Sequence, residues 1–116
     1  MDKIEKIIEQ RIEYFNNKDY EKIYDIYSIQ SQFRQFFPEK DDYKEHFFKL
    51  IEIFLPVSIE IYKVLYNNEV AEILFLEKIK NLEEDNVVSY YVKAHFAREE
   101  GLWKIVKEER EIAYNK

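Results

Sequence analysis

The feature that most constrains the fold is a stretch of two-residue alternation, Val87–Ile112, which contains the single glycine of the chain. Two β-rich runs flank the segment Glu99–Leu102, and glycine adopts positive φ angles more readily than any other residue. The pattern predicts two long antiparallel strands joined by a tight turn. The more apolar face of the first strand should contact the rest of the chain, and its residues are Val88, Tyr90, Val92, Ala94 and Phe96.

The charges on the two strands select a register for this hairpin. A two-residue loop around the glycine places Phe96 opposite Ile105 on one face and Lys93 opposite Glu108 on the other. A three-residue loop that ends in a left-handed glycine is also chemically reasonable, but it would set Lys93 against Lys107. We therefore prefer the two-residue loop.

The first half of the chain has a helical period instead. Apolar residues recur at three-to-four spacing in three segments, which predicts three amphipathic helices. The segments are Ile4–Phe15, about Lys18–Ser28, and a third that begins at Asp41-Asp42 and is ended by Pro56. Between the second and third helices, Ile29–Lys40 has no sustained period and is interpreted as a loop or a short helical turn whose aromatics enter the core.

A second β-hairpin is predicted between the helices and the glycine-containing hairpin. Its strands are Val57–Tyr66 and Val70–Ile79, joined by a pair of asparagines that suits a tight turn. In this register Lys63 lies opposite Glu72, and a slip in the alternation near Ile61-Tyr62 indicates a β-bulge. The whole chain, residues 1–116, is thus predicted to form one α+β domain, with three N-terminal helices packed on a curved antiparallel sheet of about four strands.

The charge balance argues against two classes of partner. The formal net charge is −6, from 18 basic and 24 acidic residues, and most lysines have an acidic residue within a few positions. Nucleic acids and anionic membranes both require a basic footprint, so neither is an expected partner. The sequence contains no apolar run long enough for a membrane helix.

The expected location is the cytoplasm. The first ten residues are amphipathic and lack the apolar core of a signal peptide. The chain has no cysteine, which excludes disulfides and leaves the redox compartment open. An exported domain whose signal has been removed would have the same sequence features, so this alternative stays open.

Two segments carry a family resemblance. Phe15-Asn-Asn-Lys-Asp-Tyr20 after the first helix and Phe96-Ala-Arg-Glu-Glu-Gly-Leu-Trp-Lys-Ile105 in the last hairpin resemble the nuclear transport factor 2-like superfamily. This resemblance implies a sheet wrapped around the helices to form a cone with an apolar pocket, and many relatives dimerise through the outer sheet face. It does not specify an activity, because the superfamily includes ketosteroid isomerase, dehydratases, polyketide cyclases and noncatalytic binding domains.

Tyrosines are the candidate pocket-lining residues. The chain has ten, and tyrosine supplies a flat apolar wall with a polar tip, although a coding bias toward AT-rich codons would also raise the count. Tyr14 is included because the isomerase relatives use a tyrosine of the first helix. The candidates are Tyr14, Tyr24, Tyr27, Tyr62 and Tyr90.

No residue is assigned a catalytic, metal-binding or cofactor-binding role. The isomerase relatives also use a buried acid on a strand, yet the inward positions of Val88–Phe96 contain no Asp or Glu. His46 and His95 lie far apart without ligand-like spacing, which makes a zinc site improbable. One glycine cannot form a glycine-rich phosphate loop.

The outer face of the last hairpin is the predicted partner surface. Tyr91, His95, Ala97 and Val106 form a mixed apolar patch there, and such patches often mark interfaces. The candidate residues for a dimer contact on this face are Tyr91, Lys93, His95 and Val106. The sequence therefore favours a noncatalytic domain that binds a small apolar ligand or another protein, as a homodimer. The alternative is a small isomerase, dehydratase or cyclase that acts on a hydrophobic substrate in the cone.

Overall fold

The structure is a computed structural model that describes residues 3–113, in which four helices precede an antiparallel four-stranded curved sheet. The α+β class predicted from the sequence is confirmed. One additional short helix, α3, lies in the segment interpreted as a loop or a helical turn. The elements are α1 (Ile4–Asn16), α2 (Tyr20–Asp25), α3 (Gln32–Phe36), α4 (Lys40–Leu50), β1 (Phe54–Asn67), β2 (Val70–Asn81), β3 (Asn86–Glu99) and β4 (Leu102–Ile112).

Side-chain caps determine where the short helices begin. Asp19 accepts a hydrogen bond from the backbone N–H of Lys22 (3.4 Å) at the start of α2. Ser31 accepts one from the backbone N–H of Arg34 (3.2 Å), so α3 begins where a serine satisfies a free helix donor. Among the helices within residues 3–113, none is long and apolar enough to cross a bilayer.

The change from helix to strand lies earlier than predicted. Helix α4 ends at Leu50 and β1 begins at Phe54, so Pro56 lies inside a strand and does not end the helix. A proline is tolerated there because β1 is an edge strand and its pairing shifts immediately after this residue. The side chain of Pro56 is buried opposite Ile79 of β2.

The β3–β4 hairpin has the predicted two-residue loop. Glu100 and Gly101 both have positive φ angles, +52° and +82°, which is the conformation that a two-residue turn between twisted strands requires. Phe96 pairs with Ile105, and Trp103 pairs with Arg98, in the preferred register.

A β-bulge changes the second half of β4. Val106 is an extra residue without a partner in β3, so Glu108 pairs with Ala94, which faces the core. The predicted pairing of Lys93 with Glu108 is therefore wrong, and Lys93 pairs with Glu109. Because of this one-residue shift, Glu108 and Arg110 face inward in place of Lys107 and Glu109.

The β1–β2 hairpin also differs in register. The shift predicted near Ile61-Tyr62 is present. The turn, however, lies one residue later than expected, with Asn68 at a φ of +52°. Lys63 consequently lies opposite Leu74, and the predicted pairing with Glu72 is wrong.

The core lies between the helices and the inner face of the sheet. Each large apolar side chain that is fully removed from water there contributes roughly 1.5–3 kcal/mol to the free energy of unfolding. The fully buried side chains are Phe47, Phe75, Phe96, Ile4, Ile8, Ile23, Ile73, Ile105 and Val92.

A short extended segment after α2 borders the free edge of β4. The backbone N–H of Ile105 donates to the carbonyl of Ile26 (2.9 Å), and the N–H of Ser28 donates to the carbonyl of Ile105 (2.8 Å). Tyr27 lies between these two bonds, in a parallel bridge with Ile105. This bridge fixes Tyr27 beside the inner face of the sheet, where its side chain is buried.

Candidate functional site

A cavity of about 330 Å³ lies between α1, the end of α4 and the inner face of β1–β4. One part of its wall is apolar, and the rest contains polar or charged groups. The apolar part consists of Phe15, Leu50, Phe54, Pro56 and Ile79, and the polar part of Arg11, Tyr27, Glu77, Tyr90 and Arg110.

Arg11 is the central polar residue of this cavity. It lies on the stripe of α1 that also buries Ile4 and Ile8, so the helix places its guanidinium in the interior, where only 4% of the residue is exposed. Its Nη1 is 3.0 Å from both carboxylate oxygens of Glu108 and donates to the hydroxyl of Tyr27 at 3.0 Å. The Tyr27 hydroxyl in turn donates to Glu108 Oε1 at 2.6 Å.

A second ion pair continues the network. Glu77 follows Ala71, Ile73 and Phe75 on the inward face of β2 and is only 3% exposed. Arg110 donates to Glu77 Oε1 at 2.6 Å, and its other nitrogen lies 3.5 Å from Glu108. We call Arg11, Tyr27, Glu77, Glu108 and Arg110 the polar cluster. Its two arginines and two glutamates balance in formal charge.

The neighbours of the cluster fix its ionisation. Burial works against a charge on Glu108, but Arg11 and Arg110 outweigh it and hold the pKa of this carboxyl below 4.5. Burial likewise opposes the charge of Arg11, and Glu108, Tyr27 and Glu77 together more than compensate, so the pKa of Arg11 lies above its ordinary value. Burial, reinforced by the charge of Glu108, raises the pKa of Tyr27, which stays protonated as a donor.

Two groups of the cluster keep free hydrogen-bonding capacity. Arg11 Nη2 is buried and has no hydrogen-bond partner among residues 3–113. Glu77 receives Arg110 on Oε1, while its Oε2 accepts no hydrogen bond from any residue that the structure describes. Both residues line the cavity, and a buried donor without a partner is costly. Two residues of the cavity wall therefore each keep a group, one donor and one acceptor, that no residue within 3–113 uses.

The five candidate tyrosines lie in different environments. Tyr27 and Tyr90 line the cavity. Tyr24 is buried in the core, where its hydroxyl donates to the carbonyl of Phe37 at 2.7 Å. Tyr14 is half-buried at the flank of α1 and does not line the cavity. Tyr62 is the bulged residue of β1, and its ring is 49% exposed on the outer face.

Three of the four predicted partner-surface residues lie on one face, and the fourth does not. Tyr91, Lys93 and His95 alternate along the outer face of β3, and the Tyr91 ring lies 6.2 Å from that of Tyr62. Val106 does not join them: as the bulged residue of β4, it is half-buried beside a second, smaller cavity next to α3.

Metal coordination finds no support in this part of the molecule. Within residues 3–113, no three His, Asp or Glu side chains come together in a way that could hold a metal ion. His46 is exposed on α4, and His95 lies between Glu72 (3.5 Å) and Glu109 (3.7 Å) on the outer face.

Sequence reasoning did not identify the four charged residues of the polar cluster. Arg11 could have been found, because it continues the inward stripe of α1 at helical spacing after Ile4 and Ile8. Glu77 could also have been found from the alternation of β2. Glu108 and Arg110 face inward only because of the bulge at Val106, for which the sequence gives no signal.

Comparison with known proteins shows the fold. Neither a model of a protein family nor a curated protein sequence matches the chain. Among solved structures, an NTF2-like protein of unknown function from Pseudomonas putida KT2440 superposes with a TM-score of 0.67 and 15% identity, over 97% of this chain and 85% of that protein.

Two further solved structures share this architecture. A SEC-C motif containing protein from Rhodopseudomonas palustris matches 85% of this chain and 71% of its own, with a TM-score of 0.68 and 13% identity. Bd1075 from Bdellovibrio bacteriovorus matches 97% of this chain but only 40% of its own length, with a TM-score of 0.72 and 14% identity. At these identities the likeness establishes a shared fold, including that of an NTF2-like protein, and nothing about activity.

Proposed function

We propose that this protein binds a small, mostly apolar molecule in the cavity beside the polar cluster. The observation that carries the proposal is a cavity that combines apolar walls with a few buried polar groups. Ligand pockets have this composition, with hydrophobic side chains for affinity and a small number of placed polar groups for orientation. At about 330 Å³ the cavity lies near the lower end of the usual range of roughly 300–1,000 Å³, so the ligand is small.

The ionisation of the cluster supports binding without catalysis. The low pKa of Glu108 keeps it ionised, and the raised pKa of Tyr27 keeps its proton in place. General acid–base catalysis is most efficient when the pKa of the acid or base lies near the working pH, and the pKa values of these two groups are moved away from it. The arrangement is better suited to orienting a ligand than to transferring protons.

The proposal is tested with a neutral dye whose fluorescence rises in apolar surroundings, N-phenyl-1-naphthylamine. We expect saturable binding of one dye molecule per chain. Leu50→Trp enlarges a side chain that lines the cavity and should abolish binding. The matched control is Leu82→Trp, at a residue 43% exposed between β2 and β3, which should bind normally. Equal binding by both variants would contradict the proposal.

We also infer that two copies associate through the outer sheet face. Tyr62 and Tyr91 are about half exposed there and in contact with each other, and Leu76 is the direct neighbour of Tyr91 on β2. Exposed aromatic patches of this kind are enriched at interfaces. Light scattering on a sizing column should give twice the mass of one chain, and Tyr91→Glu should halve it. Leu102→Glu, at the exposed hairpin tip, should leave the mass unchanged, and a monomeric parent protein would refute this association.

A further inference from the structure

We propose that the cavity selects a ligand whose polar end is neutral and both accepts and donates hydrogen bonds, such as a carboxamide. This inference rests on the proposed function, since it concerns the ligand of the same cavity. It follows from two properties of the polar cluster: its unused hydrogen-bonding groups and its balance of charge.

The unused donor belongs to Arg11. Buried arginine–carboxylate pairs often form with two nitrogens facing two oxygens. Here both oxygens of Glu108 are 3.0 Å from the same nitrogen, Nη1, and Nη2 is left buried without a partner among residues 3–113. An N–H group in this position needs an acceptor, and a ligand carbonyl or hydroxyl oxygen supplies one.

The unused acceptor belongs to Glu77. This carboxylate is 3% exposed and lines the cavity, with its Oε1 occupied by Arg110 at 2.6 Å. Its Oε2 accepts nothing within residues 3–113 and can accept from a ligand N–H or O–H. A carboxamide presents an acceptor and a donor on the same planar group, so it can satisfy both Arg11 and Glu77.

The charge balance then excludes ionic ends. Arg11 and Arg110 offset Glu77 and Glu108, so the cluster carries no net formal charge. A ligand carboxylate would bring an unpaired negative charge into a largely apolar cavity, and a ligand ammonium would bring an unpaired positive one. Burying a charge that lacks a partner is far more costly than burying a hydrogen-bonded neutral group.

Three compounds with the same alkyl chain separate these possibilities: hexanamide, hexanoate and hexylamine, titrated at neutral pH by isothermal calorimetry. Hexanamide should bind about tenfold more tightly than either ion, because it gains hydrogen bonds to two charged groups without adding a charge. Hexanoate or hexylamine binding as tightly as hexanamide would overturn this inference and leave the proposed function standing. Failure of all three compounds to bind, together with failure of the dye, would overturn both.

Single substitutions then move the preference in a stated direction. Glu77→Gln leaves the cluster with a net positive charge, so the affinity for hexanoate relative to hexanamide should rise about tenfold. Arg11→Gln leaves a net negative charge and should favour hexylamine in the same way. Glu9→Gln, on the exposed face of α1, removes one negative charge as Glu77→Gln does, but outside the cavity. This variant should keep the order of the three affinities found for the parent protein. An unchanged ranking in Glu77→Gln would overturn the inference even where Arg11→Gln does not fold.

Discussion

Replacing Arg11 and replacing Glu108, the two partners of a buried ion pair, should lower the free energy of unfolding by different amounts. Removing one partner of a buried pair typically costs about 3–5 kcal/mol, because the other charge is left without compensation. Arg11→Met leaves Glu108 with Tyr27 at 2.6 Å and Arg110 at 3.5 Å, so the cost should be about 3 kcal/mol, the lower end of this range. Glu108→Leu leaves Arg11 charged and 4% exposed, with the Tyr27 hydroxyl as its one remaining hydrogen-bond partner within residues 3–113, so about 5 kcal/mol is expected.

Replacing the whole group should cost less than removing one member. The triple variant Arg11→Met, Tyr27→Phe and Glu108→Leu removes both charges and the hydroxyl together, so none of these groups is left buried without its partner. Its free energy of unfolding should therefore lie within about 2 kcal/mol of the parent protein and above that of Glu108→Leu alone. Urea unfolding measures all of these variants through the fluorescence of Trp103, the single tryptophan.

An exposed ion pair supplies the control for these substitutions of buried residues. Lys49 and Glu45 are 3.5 Å apart on α4 with about three quarters of each side chain exposed, so removing either should change stability by less than about 1 kcal/mol. The reasoning about the buried pair is refuted if the triple variant loses as much stability as the sum of its single substitutions.

Three further results are expected. The pKa of Glu108 is lower in the folded than in the unfolded chain, so its contribution to the unfolding free energy is complete above pH 4.5 and should be lost as the pH falls through the folded pKa. The unfolding free energy of Glu108→Gln, measured over the same acid range, should lack this loss. Trp103→Ala should cost roughly 3–5 kcal/mol in urea unfolding, because the ring is 7% exposed and stacks with Arg98, and a nearly neutral change would place it outside the core. Glu100→Asn should raise the unfolding free energy by about 0.5–1 kcal/mol, since asparagine tolerates the φ of +52° better than glutamate does; a loss of stability would contradict this assignment of the turn.

The parts of the fold that follow from local chemistry were predictable. The alternation of Val87–Glu99 identifies the inward face of β3, and the lone glycine identifies a two-residue turn. The register predicted next to that turn was also correct, although the Lys93–Glu108 pair used to choose it does not form. These features depend on a few neighbouring residues, so the sequence alone determines them.

The candidate site was less predictable, because it depends on a distant irregularity. A strict alternation from Ile105 places Lys107 inward and Glu108 outward, and the bulge at Val106 reverses this. Buried charges at Arg11 and Glu77 contradict the usual rule that arginine and glutamate stay exposed. Their positions on the apolar stripes of α1 and β2 were visible in the sequence, but only the shift in β4 brings their partners to the same cavity.

The two edge strands of the sheet, β1 and β4, affect how readily the protein aggregates at high concentration. An open sheet edge offers unpaired N–H and C=O groups to another chain and promotes aggregation. The edge at β4 is covered over part of its length by the bridge at Tyr27, and the edge at β1 contains Pro56, which has no N–H to donate, and two register shifts. Both edges therefore disfavour the addition of further strands. The contact proposed for the outer sheet face needs no free edge, and a contact of this kind between two copies closes on itself.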